Sequence, residues 1–136
     1  MDRPNPTVMC PSGTIDEPKA RLLGVIAPDG RLRFAEEPIP IDRAFIDLAK
    51  RGRNPSRRFR FVTPCIQRAC IHWQGERCVV ADIVTDAALE ASDPEVQVEL
   101  PRCPIRTTCR WFHQRGADAC RACPEMVTDQ YIGEPR

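Results

Sequence analysis

The sequence predicts an α+β protein in which a small N-terminal β-hairpin and a helix precede two repeated cysteine-rich metal-binding modules with short helices. Two apolar stretches flank a proline–glycine turn, and an amphipathic stretch with helix start and stop signals follows them. Seven of the eight cysteines come after this part of the chain. We therefore assign residues 1–62 to a hairpin and helix segment with an extended lead-in, and residues 63–136 to a duplicated metal-binding region.

The lead-in, residues 1–20, contains four prolines and little periodicity, so it is predicted to be extended. A β-hairpin with strands at 21–27 and 31–35 follows. Its turn is predicted at Pro28-Asp29-Gly30, because proline presets the first turn dihedral and glycine adopts the positive φ that closes the turn. A hairpin alone is barely stable in water, so this one must pack on another element.

That element is predicted to be a helix. Pro38-Ile39-Pro40-Ile41 forms an extended connector, since each proline disfavours helix at the residue before it. Asp42 is a typical N-cap and Gly52 a typical helix stop, so the helix lies between them. The apolar stripe expected to face the hairpin consists of Ala44, Phe45, Leu48 and Ala49.

A basic run, residues 50–60, contains six Lys or Arg side chains and no acid. Arginine makes forked contacts with carboxylate and phosphate groups, so the run is a candidate docking patch for an acidic protein or a phosphate backbone. A solvated loop is the alternative. The candidate partner-binding residues are Arg51, Arg53, Arg57, Arg58 and Arg60. The alternation of Phe59 and Phe61 with arginines predicts that the run leads into a strand.

Secondary-structure signals also occur among the later cysteines. Residues 79–91 have the apolar spread of a helix, which Ser92-Asp93-Pro94 ends. Residues 95–100 alternate between apolar and polar as a strand does. The C-terminal end, from Pro124, is predicted to be a short helix or strand with a frayed tail.

Two cysteine-rich stretches are similar to each other, and we interpret them as an internal repeat of about forty residues. The first, residues 65–78, has the spacing C-x4-C-x7-C, and the second, residues 103–123, has the spacing C-x5-C-x10-C-x2-C. In each, a β-like run with a proline precedes the first cysteine, and a histidine and a tryptophan follow the second. Both copies are followed by Val-Thr-Asp, at 84–86 and at 127–129.

All eight cysteines are candidate metal ligands: Cys10, Cys65, Cys70, Cys78, Cys103, Cys109, Cys120 and Cys123. The second stretch supplies four thiolates, enough for a tetrahedral zinc or a four-iron cluster, whereas the first supplies three. Cys10 in the lead-in is the first candidate for the missing ligand, and His72 is the next. A third arrangement is a cluster on the three cysteines of the first stretch with an open iron, which would bind a substrate and make the protein an enzyme.

The spacing favours iron–sulfur clusters, with zinc as the alternative. Zinc sites usually bring their ligands as two close pairs, whereas this chain has one C-x2-C pair and otherwise gaps of four, five, seven and ten residues. Wide gaps suit a cubane, whose corners lie farther apart than the ligands of one zinc ion. One or two [4Fe–4S] clusters are the predicted cofactors. The same cysteines could also form disulfides or stay as inert thiols.

Three cysteines are followed by proline, in Cys10-Pro11, Cys103-Pro104 and Cys123-Pro124. This dipeptide resembles the closing Cys-Pro of bacterial ferredoxins, in which that cysteine binds the other of two clusters. The resemblance implies a small iron–sulfur protein that carries electrons. It covers the dipeptides and the duplicated layout, and the C-x2-C-x2-C-x3-C run of those ferredoxins is absent.

Charge and targeting signals narrow the function classes. The net charge is only +1, so the overall field does not favour nucleic acid as the partner. The chain has no recognisable signal peptide or membrane-spanning run, so we expect a cytoplasmic protein with reduced thiols and no membrane partner. The nucleotide-binding, zinc-protease and serine-hydrolase motifs are absent.

We therefore expect a small iron–sulfur protein that acts in electron transfer or as an accessory subunit of a redox enzyme, with a redox protein or enzyme as its partner. The second hypothesis is a zinc-stabilised module that binds nucleic acid or an acidic protein. The third is an enzyme that uses an open cluster site. The iron and acid-labile sulfide content distinguishes the first hypothesis from the second.

Overall fold

The computed structural model describes residues 8–52, 54–93, 95–96 and 99–126. Its strands are β1 (Met9–Gly13), β2 (Arg21–Ile26), β3 (Leu32–Pro40), β4 (Phe59–Pro64), β5 (Trp73–Gln74) and β6 (Arg77–Cys78). Its α-helices are α1 (Arg43–Arg51), α2 (Pro55–Arg58), α3 (Val79–Ala91), α4 (Arg110–Arg115) and α5 (Ala117–Ala122). Short 3₁₀ helices cover Gln67–Ala69, Arg106–Thr108 and Cys123–Glu125. The mixture of helix and sheet confirms the predicted α+β class.

Strands β1 to β4 form one antiparallel sheet in the order β1-β4-β2-β3. The β2–β3 pair is the predicted hairpin, and Gly30 closes its turn with φ at 86°. Gly24 of β2 lies so close to β3 that a Cβ atom there would be 2.3 Å from the carbonyl oxygen of Arg33. β1 pairs with β4, so residues 9–13 of the predicted lead-in form an edge strand of the sheet.

Helix α1 covers one face of this sheet. Asp42 caps it, since the Asp42 carboxylate accepts a hydrogen bond from the Phe45 backbone N–H at 2.8 Å. Phe45 packs edge-on against Phe59 and Phe61 of β4, with ring centroids 5.2 and 6.3 Å away. Gly52 follows the last helical residue, so the predicted bounds of this helix are confirmed.

The predicted apolar stripe of α1 is wrong in part. Ala49 is buried and Phe45 is half-buried, as expected, but Leu48 is 65% exposed. Ile46 takes its place against the sheet. The face of the helix that contacts the sheet is therefore rotated toward Ile46. Periodicity alone does not define this face, because apolar residues occur on more than one side of the helix.

The cysteine-rich region covers the other face of the sheet. Leu23 and Val62 are fully buried there, against residues of α3, α4 and α5. Trp111 of α4 is 1% exposed and is the largest fully buried side chain among the described residues. The apolar cluster runs without a break from Leu23 to Met126. The two predicted segments, 1–62 and 63–136, therefore share one core.

Arg60 requires a correction to the predicted docking patch. It alternates with Phe59 and Phe61 along β4, as predicted, so its side chain lies on the opposite side of the strand. That side is covered by the cysteine-rich region, and Arg60 is 0% exposed. Arg60 is therefore not part of a surface that a partner contacts.

The other arginines of the predicted patch have different surroundings. Arg51 and Arg57 are exposed, and Arg58 is half-buried with its guanidinium 5.1 Å from the centre of the Phe59 ring. Arg53 lies outside the described residues. A docking surface made from this run would therefore centre on α1 and α2 rather than on β4.

Two predictions concern the chain after the first cysteine stretch. The helix at 79–91 is confirmed as α3. The strand at 95–100 is wrong for its described residues, which adopt no strand, and residues 97 and 98 lie outside the description. Val96 is 60% exposed, so its apolar side has no sheet face to pack on. Residues 127–136, including the second Val-Thr-Asp, also lie outside the described ranges.

The helices of the described ranges are short. None of them is both long enough and apolar enough to cross a lipid bilayer. The longest is α3, with 13 residues. Its length suits its position across the sheet.

Substitution of the helix cap tests how much α1 contributes to stability. Asp42→Ala removes the acceptor for the Phe45 N–H, so we expect the free energy of unfolding to fall by about 1 kcal/mol in urea denaturation. Asp47→Ala, on an exposed position of the same helix, is the matched control and should change that free energy by less than about 0.5 kcal/mol. Equal effects of the two substitutions would contradict the capping role.

Candidate metal centre

All eight cysteines are free thiols, so no disulfide joins any two of them. They gather into two groups of four. The first cysteine group consists of Cys10, Cys65, Cys70 and Cys78, and the second cysteine group consists of Cys103, Cys109, Cys120 and Cys123. Among the described residues, no set of three or more histidine, cysteine, aspartate or glutamate side chains is arranged so that it could hold a metal ion. Each group is a neighbourhood of thiols and not a completed coordination shell.

The pairing of β1 with β4 places Cys10 in the first group. Cys10 lies opposite Thr63 in the ladder, and the Cys65 backbone N–H donates to the Val8 carbonyl at 2.8 Å. The pKa of the Cys10 thiol is raised to about 12, chiefly by burial and further by the neighbouring Cys78 and Cys65. The lead-in cysteine therefore lies near two cysteines of the first stretch, and its role as the fourth ligand stays a prediction.

Short local elements position Cys70 and Cys78. The 3₁₀ helix Gln67–Ala69 ends at Cys70, whose sulfur accepts a hydrogen bond from the His72 backbone N–H at 3.4 Å. The small hairpin β5–β6 then pairs Trp73 with Cys78. Burial raises the pKa of the Cys78 thiol, and Cys70 and Cys65 add to that increase. These interactions connect all four thiols of the first group.

The second group lines a small, partly open cavity of about 20 Å³. All four of its cysteines contribute to the wall, together with Trp111 and Ile105. Burial raises the pKa of the Cys109 thiol to about 12, and the proximity of Cys123 and Cys103 adds to the increase. Four thiols therefore face a small space that is enclosed largely by apolar side chains.

Two arginines donate hydrogen bonds to sulfur atoms of the second group. Arg60 Nη1 lies 3.2 Å from the Cys123 sulfur, and Arg106 Nε lies 3.3 Å from the Cys120 sulfur. Both sulfurs belong to the C-x2-C pair. These charge-assisted hydrogen bonds place a guanidinium beside each sulfur of the pair.

The two tryptophans each carry a buried indole N–H without a hydrogen-bond partner. Trp111 lines the cavity of the second group. Trp73 lies beside Cys78 in the first group, and the Arg110 guanidinium is 4.9 Å from its ring centre. Buried donors are normally paired, so an acceptor inside the cavity would satisfy the Trp111 N–H.

The two cysteine stretches are similar around their second cysteines, although Gln67 of the first has a positive φ of 49° and no residue of Arg106–Thr108 does. A 3₁₀ helix precedes the second cysteine in each, at Gln67–Ala69 and at Arg106–Thr108. Cys70 has φ and ψ of −84° and 137°, and Cys109 has −75° and 128°. The stretches differ afterwards, because a β-hairpin follows Cys70 whereas helix α4 follows Cys109.

The two histidines have different contacts. His113 Nε2 lies 2.7 Å from the Thr107 carbonyl oxygen, which fixes the ring against the preceding 3₁₀ helix. His72 contributes its backbone N–H to the Cys70 sulfur. Cys10 and His72 both stay predicted candidates for the fourth ligand of the first group.

Backbone and side-chain contacts connect the two groups to each other. Met9 of β1 forms a parallel bridge with Cys109. The Gln114 side chain accepts a hydrogen bond from the Cys78 N–H at 2.9 Å and donates one to the Cys78 carbonyl at 2.8 Å. The two groups are therefore held by neighbouring segments and not by independent lobes.

An ion-pair network also connects the segments that hold the two cysteine groups. Asp82 of α3 accepts hydrogen bonds from Arg77 at 2.7 and 2.9 Å and from Arg115 at 3.1 Å. Hydrogen bonds from Arg77, and then from Gln114 and Arg115, hold the pKa of the Asp82 carboxyl well below its usual range, against the smaller opposing effect of burial.

Four residues that support the cysteine groups were not predicted from the sequence: Arg60, Arg106, Gln114 and Asp82. Spacing could not reveal them, because each acts across a large separation in the chain or through a contact that only the tertiary fold creates. The alternation along β4 did carry one usable signal, since it placed Arg60 on the side of the strand opposite Phe59 and Phe61.

Comparison of the chain with protein-family models, with curated proteins and with solved structures gives no match. Function is therefore inferred from the chemistry of the two cysteine groups and their surroundings.

The Asp82 network predicts a pH-dependent contribution to stability. Because folding lowers the pKa of Asp82, its contribution is complete above the unfolded pKa, about 3.9, and is lost as the pH falls through the folded pKa. Asp82→Asn should therefore lower the free energy of unfolding at pH 7 by about 1–3 kcal/mol, as measured by urea denaturation.

The control for this substitution is Asp86→Asn. Asp86 also pairs with Arg115, at 2.8 Å, but its side chain is 61% exposed, so an effect of at most about 1 kcal/mol is expected. The difference between wild type and Asp82→Asn should shrink as the pH falls below about 3.9. A difference that stays constant over this range would show that the Asp82 charge is not responsible.

Proposed function

We propose that each cysteine group binds an iron–sulfur cluster of the [4Fe–4S] type, and that the protein acts in electron transfer or as an accessory subunit of a redox enzyme. The observation that carries the proposal is the sorting of eight free cysteines into two groups of four, the number of ligands that such a cluster needs. When bound, such clusters supply one-electron transfer.

The first group supports the proposal through Cys10. Cys10 precedes Cys65 by more than fifty positions in the chain and still lies near Cys65 and Cys78. A fourth thiol closes the cluster corner that three cysteines would leave open. This favours a carrier over an enzyme that binds substrate at an open iron.

The second group supports the proposal through the lining of its cavity. All four cysteines contribute to the wall, and the cavity itself is small, about 20 Å³, so the segments that carry the cysteines would have to move apart to admit a cluster. The donor set consists of four thiols, and two arginine N–H groups and the unpaired Trp111 N–H surround it. An anionic occupant with sulfur acceptors fits these donors.

The matching 3₁₀ turns support the proposed duplication. Cys65 and Cys103 each precede such a turn, and Cys70 and Cys109 each follow one. Each turn lies at the corresponding place in the two cysteine stretches. A duplicated cysteine module with one cluster in each copy is the arrangement we propose, and the exposed arginines of the basic run would dock an acidic redox partner.

Anaerobic purification with metal and sulfide analysis tests the proposal. We expect a brown protein with about eight iron atoms and about eight acid-labile sulfides per chain, since each of two four-iron clusters contributes four of each. A colourless protein with bound zinc would contradict the proposal and favour the zinc-stabilised module.

Two cysteine variants provide reciprocal controls. Cys10→Ala removes one thiol of the first group, and Cys123→Ala removes one thiol of the second, so each should retain about half of the iron and sulfide. Undiminished iron in Cys10→Ala would mean that Cys10 is not a ligand. Loss of all iron in both variants, with the fold retained by circular dichroism, would mean that the two groups do not bind separately.

A further inference from the structure

Arg60 is a buried cation without a carboxylate partner among the described residues. It is 0% exposed, and its guanidinium donates to the carbonyls of Pro11, Cys123 and Met126 and to the Cys123 sulfur. Its Nε atom is buried without any partner. Of these acceptors, the Cys123 sulfur is the one that can carry a negative charge.

A buried guanidinium is costly unless an anion lies nearby. Arginine stays protonated in proteins, so Arg60 cannot lose its charge as a buried lysine can. Arg106 adds a second guanidinium to the same group, with its Nε 3.3 Å from the Cys120 sulfur. Each sulfur of the C-x2-C pair therefore accepts a hydrogen bond from one positively charged guanidinium.

The first cysteine group has neutral donors instead. The Cys10 sulfur lies 3.4 Å from the Ser12 hydroxyl, and the Cys70 sulfur accepts from the His72 backbone N–H at 3.4 Å. The nearby Arg110 guanidinium lies over the Trp73 ring. In the contacts of the described residues, no arginine donates to a sulfur of this group.

We infer that Arg60 and Arg106 raise the reduction potential of the cluster that the second group would hold. This inference rests on the proposed function. Reduction would add one negative charge there, and a cation with N–H···S hydrogen bonds stabilises that charge.

Potentiometric titration of the intact, cluster-loaded protein, followed by electron paramagnetic resonance, tests the inference. Signals are assigned with Cys10→Ala, which should lack the first cluster. In Arg60→Met, the equilibrium for reduction of the second cluster should fall at least tenfold, a decrease of about 59 mV for one electron. Arg60→Lys keeps the charge and should produce a smaller decrease.

Arg106→Met provides an independent variant in case Arg60→Met does not fold, and it should shift the same potential in the same direction. Arg33→Met is the matched control, because Arg33 is exposed and pairs with Asp29 at 3.3 Å. Its two potentials should equal those of the wild type.

Different experimental results would refute this inference and the proposed function. Absence of iron and sulfide in the wild type would refute the proposed function itself. Full iron content with unchanged potentials in Arg106→Met and in every folded Arg60 variant would refute the role of the arginines alone.

Discussion

The pairing of β1 with β4 is the interaction on which both cysteine groups depend. Because successive residues of a strand point to opposite sides, Cys10 joins the first group while Pro11 lines the cavity of the second. Without this edge strand, the first group would have three thiols and the second would lose part of its wall. A lead-in with no core of its own thus completes two sites, since its backbone bonds to β4 and to Cys109.

Arg60 connects the second cysteine group to the sheet. Its hydrogen bonds to the carbonyls of Cys123 and Met126 attach the end of the cysteine-rich region to the sheet. The same side chain brings a positive charge into an apolar interior, where a charge without a counter-ion is destabilising. Sulfur ligands in their thiolate form would supply that counter-ion, so occupation of the proposed site and stability of the fold are coupled.

Local signals in the sequence were enough to predict the elements whose conformation depends on neighbouring residues. The turn at Pro28-Asp29-Gly30, the cap at Asp42 and the helix at 79–91 each depend on residues close together in the chain. Spacing and reach also predicted that Cys10 would join the first stretch. The sequence could not show what covers the second side of β4, so Arg60 was assigned to the surface. The strand at 95–100 was wrong because alternation does not supply a pairing partner.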